Sequence, residues 1–243
     1  MNVILIGYGK MGKAIDRLIK EDQSINIFRI IDEKNPLSKN DDLADVDVAI
    51  DFSEPKCVLN NVKILADKRV NCVLGTTGWY DNMEKMKEMV IGGGIGLVWD
   101  SNFSVGVNLF FEITKKAAYL FNRFKEYDIS IHEVHHKAKK DSPSGTALML
   151  GNMILENNKN KNKIRTSIKD GIIEEEDLCV SSSRFGSVFG EHSVYFDSPE
   201  DTIELKHSAK GRDGFAKGAI LAAKWIKGKT GIYRMKDVLR IKE

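Results

Sequence analysis

Between His132 and Ala147 the chain reads HEVHHKAKKDSPSGTA, with three histidines, three lysines and two acids in sixteen residues. Such a mixture serves four chemistries: metal binding, acid–base catalysis, anion binding, or a solvated basic surface. Residues 132–136 match H-E-x-x-H, a zinc-protease pattern that works only on a helix, where the two histidines share a face. The context is not helical. YDISIHEVH alternates with period two and is rich in β-branched residues, which reads as a strand. On a strand His132 and His136 stand about 13 Å apart, at ~3.3 Å per residue. One zinc ion with ligands at about 2.0–2.1 Å cannot bridge them. No metal site is expected here.

The strand reading puts Ile129, Ile131, Glu133 and His135 on one face and Ser130, His132, Val134 and His136 on the other. His135, His136 and the lysines then lie at its carboxyl end. Residues 141–147, DSPSGTA, read as a helix entry, with capping residues and a proline before the apolar run ALMLGNMIL. Exposed N–H groups at such an entry hold a carboxylate or phosphate. Ser144, Thr146, Lys137, Lys139 and Lys140 would add hydroxyls and positive charge. The segment therefore describes an anion site beside a titratable histidine.

The elements that must position it begin at the amino terminus. NVILIG is a continuous apolar run, the pattern of a strand buried on both faces of a parallel sheet. It leads into Gly7-Tyr8-Gly9-Lys10-Met11-Gly12, a G-x-G-x-x-G turn. A helical pattern follows, with Met11, Ala14, Ile15, Leu18 and Ile19 inward and Lys13, Asp16, Arg17 and Lys20 outward. The next strand, NIFRIID, ends at Asp32, 20 residues after Gly12. The glycines allow a tight turn and close approach to a pyrophosphate, and an acid at this spacing accepts from a ribose. Asp32 favours NADH over NADPH, because its charge repels a 2′-phosphate; Lys34 and Arg29 are cations able to offset that. The alternation continues with strands running into DFSEP, GTTG and DSNFS. In open parallel sheets ligands sit beyond such carboxyl ends.

Composition narrows the class. The chain has 243 residues, 42% hydrophobic and 30% charged, with net charge +2. That provides no overall basic field for nucleic acid. Cys57, Cys72 and Cys179 are odd in number and widely spaced, against a disulfide framework and for a reducing compartment. The start lacks a basic leader segment, and no run approaches the roughly 18 apolar residues of a membrane span. A soluble cytoplasmic protein is expected.

The run EVHHKAKKDSPSGTA resembles the E-x-H-H-x-x-K-x-D-x-P-S-G-T-A signature of the 4-hydroxy-tetrahydrodipicolinate reductase (dihydrodipicolinate reductase) family, pyridine-nucleotide reductases of lysine and diaminopimelate synthesis. The likeness extends through GYGKMG, DFSEP, GTTG, SNFSVGVN, VFGEHSVYF and HSAKGRDGFAKGAILAAKWI. It implies His135 as proton donor and acceptor and Lys139 as catalytic lysine. It further implies His136, Lys139, Gly145 and Thr146 as contacts of a dicarboxylate substrate. Cofactor contacts, to NADH or NADPH, would come from Gly7, Tyr8, Gly9, Lys10, Met11, Gly12 and Asp32. Gly75, Thr76, Thr77, Asp100, Ser101, Asn102 and Phe103 complete that implied set. Two positions depart from many members, which carry Arg at 10 and a base at 138. The first bears on 2′-phosphate recognition, and the second marks position 138 as inessential to the chemistry.

The expected fold class is α/β: a Rossmann-like parallel-sheet nucleotide domain (1–104 and 212–243) plus a smaller α+β domain (105–211) with a mixed or antiparallel sheet. Strands are expected at YDISIHEVH, KIRTSIKD, LCVSSSRFGSVFGEHSVYFDS and TIELKHSA, antiparallel in appearance. NNKNKNK (157–163) reads as a solvated loop. The resemblance implies that the smaller domains assemble a homotetramer and that the cleft between domains closes on substrate. Two alternatives differ in class: a small amino-acid dehydrogenase such as aspartate dehydrogenase, and a nucleotide-sensing protein without turnover. The dicarboxylate site discriminates against the first, and the lack of a helix-turn-helix signal or basic face against the second.

Overall fold

Apolar runs of four to six residues at regular intervals, each followed by an amphipathic stretch, build a wound parallel sheet. The computed structural model describes residues 1–168 and 171–241. Its first elements are β1 (Asn2–Ile6), α1 (Lys10–Lys20), β2 (Asn26–Ile31) and β3 (Val48–Asp51). A 3₁₀ turn at Pro55–Cys57 leads to α2 (Val58–Asp67), β4 (Asn71–Leu74), α3 (Met83–Gly93) and β5 (Gly96–Trp99). Next come α4 (Val105–Phe121), β6 (Asp128–His135), α5 (Gly145–Asn157), β7 (Lys163–Arg165) and β8 (Asp177–Arg184). The chain closes with β9 (Glu191–Asp197), β10 (Thr202–Ser208), α6 (Asp213–Ile226), β11 (Gly231–Tyr233) and α7 (Met235–Val238).

The chain divides into two units, Met1–Val105 with Arg212–Glu243, and Gly106–Gly211. In the first, six strands lie in the order β11-β5-β4-β3-β1-β2 and every pair is parallel. Strand order reverses between β1 and β3, which is where an open α/β sheet leaves a crevice beyond its carboxyl ends. Alternate residues of β1 feed two cores. Ile4 and Ile6 pack with Val62 and Leu65 of α2, and Val3 and Leu5 with Ile15 of α1 and Ala219 of α6. Burial on both faces is why these strands are uniformly apolar.

Asp16 does not point outward: it is buried, accepting from Tyr8 Oη at 2.6 Å and Lys20 Nζ at 3.0 Å. Burial alone would raise its pKa, but the bonds from Tyr8 and Lys20 hold it below the usual carboxylate value.

The second unit has a five-stranded sheet in the order β10-β9-β6-β8-β7. β9 runs antiparallel to β6 and β10, but β6–β8 and β7–β8 are parallel, so the sheet is mixed rather than antiparallel throughout. The parallel β6–β8 pair follows from a connection that includes the α5 crossover, since returning in the same direction requires a connection the length of a helix. The core joins Phe110 and Phe111 of α4, Leu150 and Ile154 of α5, and Ile129, Ile131, Val180 and Phe196 of the sheet. β7 is shorter than the expected KIRTSIKD strand, whose last two residues, Lys169 and Asp170, lie outside the described residues, as do Lys242 and Glu243 of the expected nucleotide domain.

The NNKNKNK run also departs from expectation, because it is not simply solvated. Asn158 is buried and donates to the Ala118 carbonyl at 3.1 Å. Lys161 is buried as well, its ammonium bonding the Glu175 and Asp177 carbonyls at 2.5 and 3.0 Å and pairing with Asp128. Two carbonyls, one in the turn before β8 and one at its first residue, are thus satisfied by one cation. Lys161→Met is expected to cost about 2–4 kcal/mol, since it strips charged hydrogen bonds from two carbonyls, that of Asp177 being buried. Urea unfolding checks this, and a loss below about 0.5 kcal/mol, the usual range for surface changes, would show that the ammonium does not hold the turn.

Candidate active site

Beyond the β1 and β3 ends lies a groove of about 570 Å³ whose lining includes Gly7, Tyr8, Gly9, Asp32, Lys34 and Ser53. Gly7 has φ +89°, and a Cβ there would fall 2.4 Å from the Phe52 carbonyl oxygen. On Gly12 a Cβ would meet the Gly7 carbonyl oxygen at 2.2 Å. These two glycines therefore let the turn fold back and α1 approach the sheet. Gly9 is different: a Cβ there meets nothing within 4 Å, so its surface is open to a ligand. Gly9 is also the N-cap of α1 and provides no side-chain cap, leaving the helix entry to an anion. Open backbone, an uncapped helix end and a nearby acid fit the pyrophosphate and ribose of a nicotinamide dinucleotide.

Of the other positions expected to touch a cofactor, Asp32 lies at the groove, with Oδ1 accepting from the Lys34 and Asn35 amides at 3.0 Å each. Lys10 is exposed but is not among the groove lining, whereas Lys13, one turn on, is. Met11 is half-buried against the core. Arg29 is occupied by Asp41 at 2.7 Å. Gly75 packs where a Cβ would strike the Phe52 ring at 2.1 Å. Thr76 is buried, donating to the Ser53 carbonyl at 3.2 Å, while Thr77 is exposed.

The β5 end differs most from its sequence reading. The Asp100 carboxylate is buried and receives Arg234 Nε and Nη2 at 3.1 Å each, the Met235 amide at 3.2 Å and the Ser101 amide at 2.8 Å. The Arg234 guanidinium in turn lies 4.0 Å from the centre of the Trp99 ring. Asn102 and Phe103 are also buried, and Ser101 is exposed. Asp100 thus anchors the loop to α7. No motif carried that pairing, because 134 residues separate its members.

In the second unit β6 has the expected alternation, with Ile129, Ile131, Glu133 and His135 buried. Register then selects their neighbours: Glu133 lies opposite Ser182 and His192, and His135 opposite Arg184. Glu133 is completely buried. Its Oε1 accepts from Arg184 Nη2 at 2.6 Å, Ser182 Oγ at 2.7 Å and the Ser144 amide at 3.1 Å. Its Oε2 contacts Nδ1 of His135. Burial pushes the Glu133 pKa up, but Arg184, Ser182, His135 and Ser144 together bring it below its ordinary value. His135 is held below 6.5, first by burial and then by Lys139 and Arg184, with Glu133 opposing.

Ser144 connects this cluster to α5. It is the N-cap, accepting from the Ala147 amide at 3.2 Å, and its Oγ lies 3.0 Å from Nε2 of His192. Gly145 is exposed and Thr146 half-buried at the helix entry; His136 is half-buried just past β6. Lys139 pairs with Asp141 at 2.8 Å. Thus one short segment collects His135, Lys139 and the α5 entry, and Arg184, Ser182 and His192 join them from other strands. The alternation of SSSR and EHS on strands facing β6 is the one local hint of those additions.

His132 faces the other way, with Nδ1 2.8 Å from Ser181 Oγ, so it forms no metal pair with His136. Atoms of Glu133, His135 and His192 do lie within 4.8 Å of one another. Arg184 on Glu133 and Ser144 on His192 nevertheless make the cluster a poor cation site.

Comparison with known proteins shows the family. The dihydrodipicolinate reductase amino-terminal family profile matches residues 1–103, and the carboxyl-terminal profile matches 106–239. This chain belongs to the dihydrodipicolinate reductase family. A 4-hydroxy-tetrahydrodipicolinate reductase of Christiangramia forsetii is 41% identical over 98% of both chains. One from Methanococcus aeolicus is 37% identical over 98% of this chain and 82% of its own. A dipicolinate-bound dihydrodipicolinate reductase from Paenisporosarcina sp. TG-14 shares the fold with a TM-score of 0.79 at 20% identity, covering 100% of this chain and 99% of that one. The chain is an oxidoreductase of lysine and diaminopimelate biosynthesis, dependent on a pyridine nucleotide. This decides against the amino-acid dehydrogenase and the non-catalytic sensor.

His192 yields a measurable consequence. Burial, then the neighbouring His135, lower its pKa from 6.5 to about 4. The unfolded chain therefore binds the extra proton first, and the stability of neutral His192 is complete above about pH 6.5 and lost as pH falls to about 4. That window amounts to on the order of 3 kcal/mol. His192→Gln should flatten the slope of unfolding free energy against pH between these limits, and an unchanged slope would show that His192 is not the group responsible.

Proposed function

We propose that this reductase converts 4-hydroxy-tetrahydrodipicolinate and NAD(P)H, with one proton, into tetrahydrodipicolinate, NAD(P)⁺ and water. The observation that supports it best is the joining of His135, Lys139 and the α5 entry by one short segment, in a chain 41% identical to a curated reductase of that name. When bound, the nicotinamide supplies a hydride to C4 of the conjugated cyclic imine left by loss of the hydroxyl.

The chain's own residues bind the substrate and handle the protons. The α5 entry at Gly145 and Thr146, with Lys139 and His136, receives the substrate carboxylates. His135 is neutral at pH 7 in the free protein, since its pKa is lowered. A bound dicarboxylate brings negative charge beside it and favours the imidazolium, loading the proton when it is needed. Hydride addition pushes an electron pair toward the ring nitrogen side, and the adjacent carbon takes up the proton from His135, with Lys139 as the second donor.

For the cofactor, the proposal favours NADH. Asp32 keeps Oδ2 for a ribose hydroxyl while Oδ1 holds its own turn. The groove's Lys34 and Lys56 leave room for NADPH as the weaker partner, although Lys56 is already paired with Glu54 at 2.6 Å. No helix among the described residues is long and apolar enough to cross a membrane. The reading includes action in the cytoplasm as a homotetramer, with the 1–104 and 212–243 segments binding cofactor and 105–211 binding substrate and partner subunits.

Coupled to an enzyme that forms the substrate from pyruvate and aspartate semialdehyde, the protein should oxidise NADH only when both precursors are present. The His135→Ala/Lys139→Ala variant should lose at least about a hundredfold in turnover and still bind NADH; full activity in that variant overturns the assignment. A higher kcat/KM with NADPH overturns the cofactor preference. Light scattering is expected to give the mass of four chains, and a monomer mass refutes the assembly.

A further inference from the structure

The proposed chemistry uses His135 and leaves the acid behind it without a role. Strand geometry forces the two together, because residues two apart on β6 face the same way. Oε1 of Glu133 is engaged by three donors from two elements: Arg184 and Ser182 of β8 and the Ser144 amide at the α5 cap. Oε2 has no such donor and lies against Nδ1 of His135, an atom equally without another hydrogen-bond partner. An ionised carboxylate can only accept, so the proton between them belongs to Nδ1.

Nε2 is then the nitrogen left for chemistry. Gly190 keeps it clear, since a Cβ at that position would sit 2.9 Å from Nε2. The same carboxylate fixes the Ser144 amide, and Ser144 is the residue from which α5 starts.

We infer that Glu133 is a positioning residue for the reductase: it holds His135 with Nδ1–H toward itself and Nε2 free for proton transfer, and it anchors the α5 entry that reads the substrate carboxylate. The inference rests on His135 being the proton donor of the proposed reaction. One buried acid thereby couples the placement of the substrate to the placement of the proton. The charged and titratable groups facing His135 are Glu133 on its own strand, Arg184 on β8, His192 on β9 and Lys139 in the following loop. Among them Glu133 alone favours the imidazolium, opposing the burial, Lys139 and Arg184 that hold the His135 pKa down.

A purely structural ion pair would give stability and nothing else, and this distinguishes the two roles. In wild-type protein labelled with ¹⁵N-histidine, long-range ¹H–¹⁵N correlation spectra at a pH where His135 is neutral should show the Nδ1–H tautomer. The Nε2–H tautomer would overturn the inference, with no variant required. This measurement involves no turnover, so it stands even if the proposed substrate is wrong; failure of the coupled assay would count against the function and not against the contact.

In Glu133→Gln, kcat should fall about 10- to 100-fold, with the KM for NADH unchanged and that for the imine substrate raised. The limb of the kcat/KM profile governed by His135 should move to lower pH, and Glu133→Asp, which keeps the charge, should restore its position. A folded Glu133→Gln enzyme with an unmoved pH profile and unchanged kcat refutes the positioning role. If that variant does not fold, the wild-type tautomer and the Glu133→Asp profile decide the matter.

Discussion

A fully buried carboxylate must be compensated from every side, and in the second unit that requirement organises what surrounds it. Glu133 has no solvent, so each oxygen needs partners, and leaving such a charge unpaired costs several kcal/mol. β8 supplies Arg184 and Ser182, the α5 cap supplies an amide, and β6 itself supplies His135. A slip of β6 by one residue would turn Glu133 and His135 to the opposite face and strand Arg184. The polar cluster therefore specifies the register of the sheet as much as the core does. It also leaves His135 low in pKa and close to the helix entry.

The first unit handles its ligand surface differently, with backbone rather than side chains. Gly7 and Gly12 let the turn and α1 pack closely, and Gly9 remains bare over an uncapped helix end. Its buried acids hold loops in place. Asp51 accepts from Asn61 at 2.9 Å and from the Ser53 amide at 2.8 Å behind the β3 end, and burial raises its pKa. Asp100 does the same for the β5 end through Arg234. Both carboxylates shape the groove or its neighbouring loop through bonds within the chain. An acidic residue at a strand end is therefore an ambiguous signal: Asp32 and Asp100 look alike in sequence, yet Asp32 holds its own turn while Asp100 is tied to Arg234.

Local pattern made much of this legible. Period-two alternation placed Glu133 and His135 on one buried face, and it excluded the helical zinc motif. Continuous apolar runs and the G-x-G-x-x-G spacing gave the parallel sheet and its crevice, and residues 141–147 were readable as a helix entry, although the Ser144 hydroxyl expected to meet an anion is buried against the Ala147 amide and His192. The failures share one cause. Asp16, Asn158 and Lys161 look solvent-facing by polarity, yet each is buried because a distant or cross-turn partner satisfies it. A mixed or antiparallel second sheet was expected, but which of its pairs run parallel was not legible, since strand propensity is silent about which neighbour a strand will find.

By itself, then, the sequence determined the strand and helix alphabet, the nucleotide turn and the short segment holding His135, Lys139 and the α5 cap. All of these are encoded within a few turns of chain, where spacing maps directly onto geometry. Tertiary structure alone decided which groups stand behind them: Arg184 on Glu133 across 51 residues, His192 on Ser144 across 48, and Arg234 on Asp100 across 134. Those contacts depend on sheet order and register. They arise from packing the chain against itself, which no local period records.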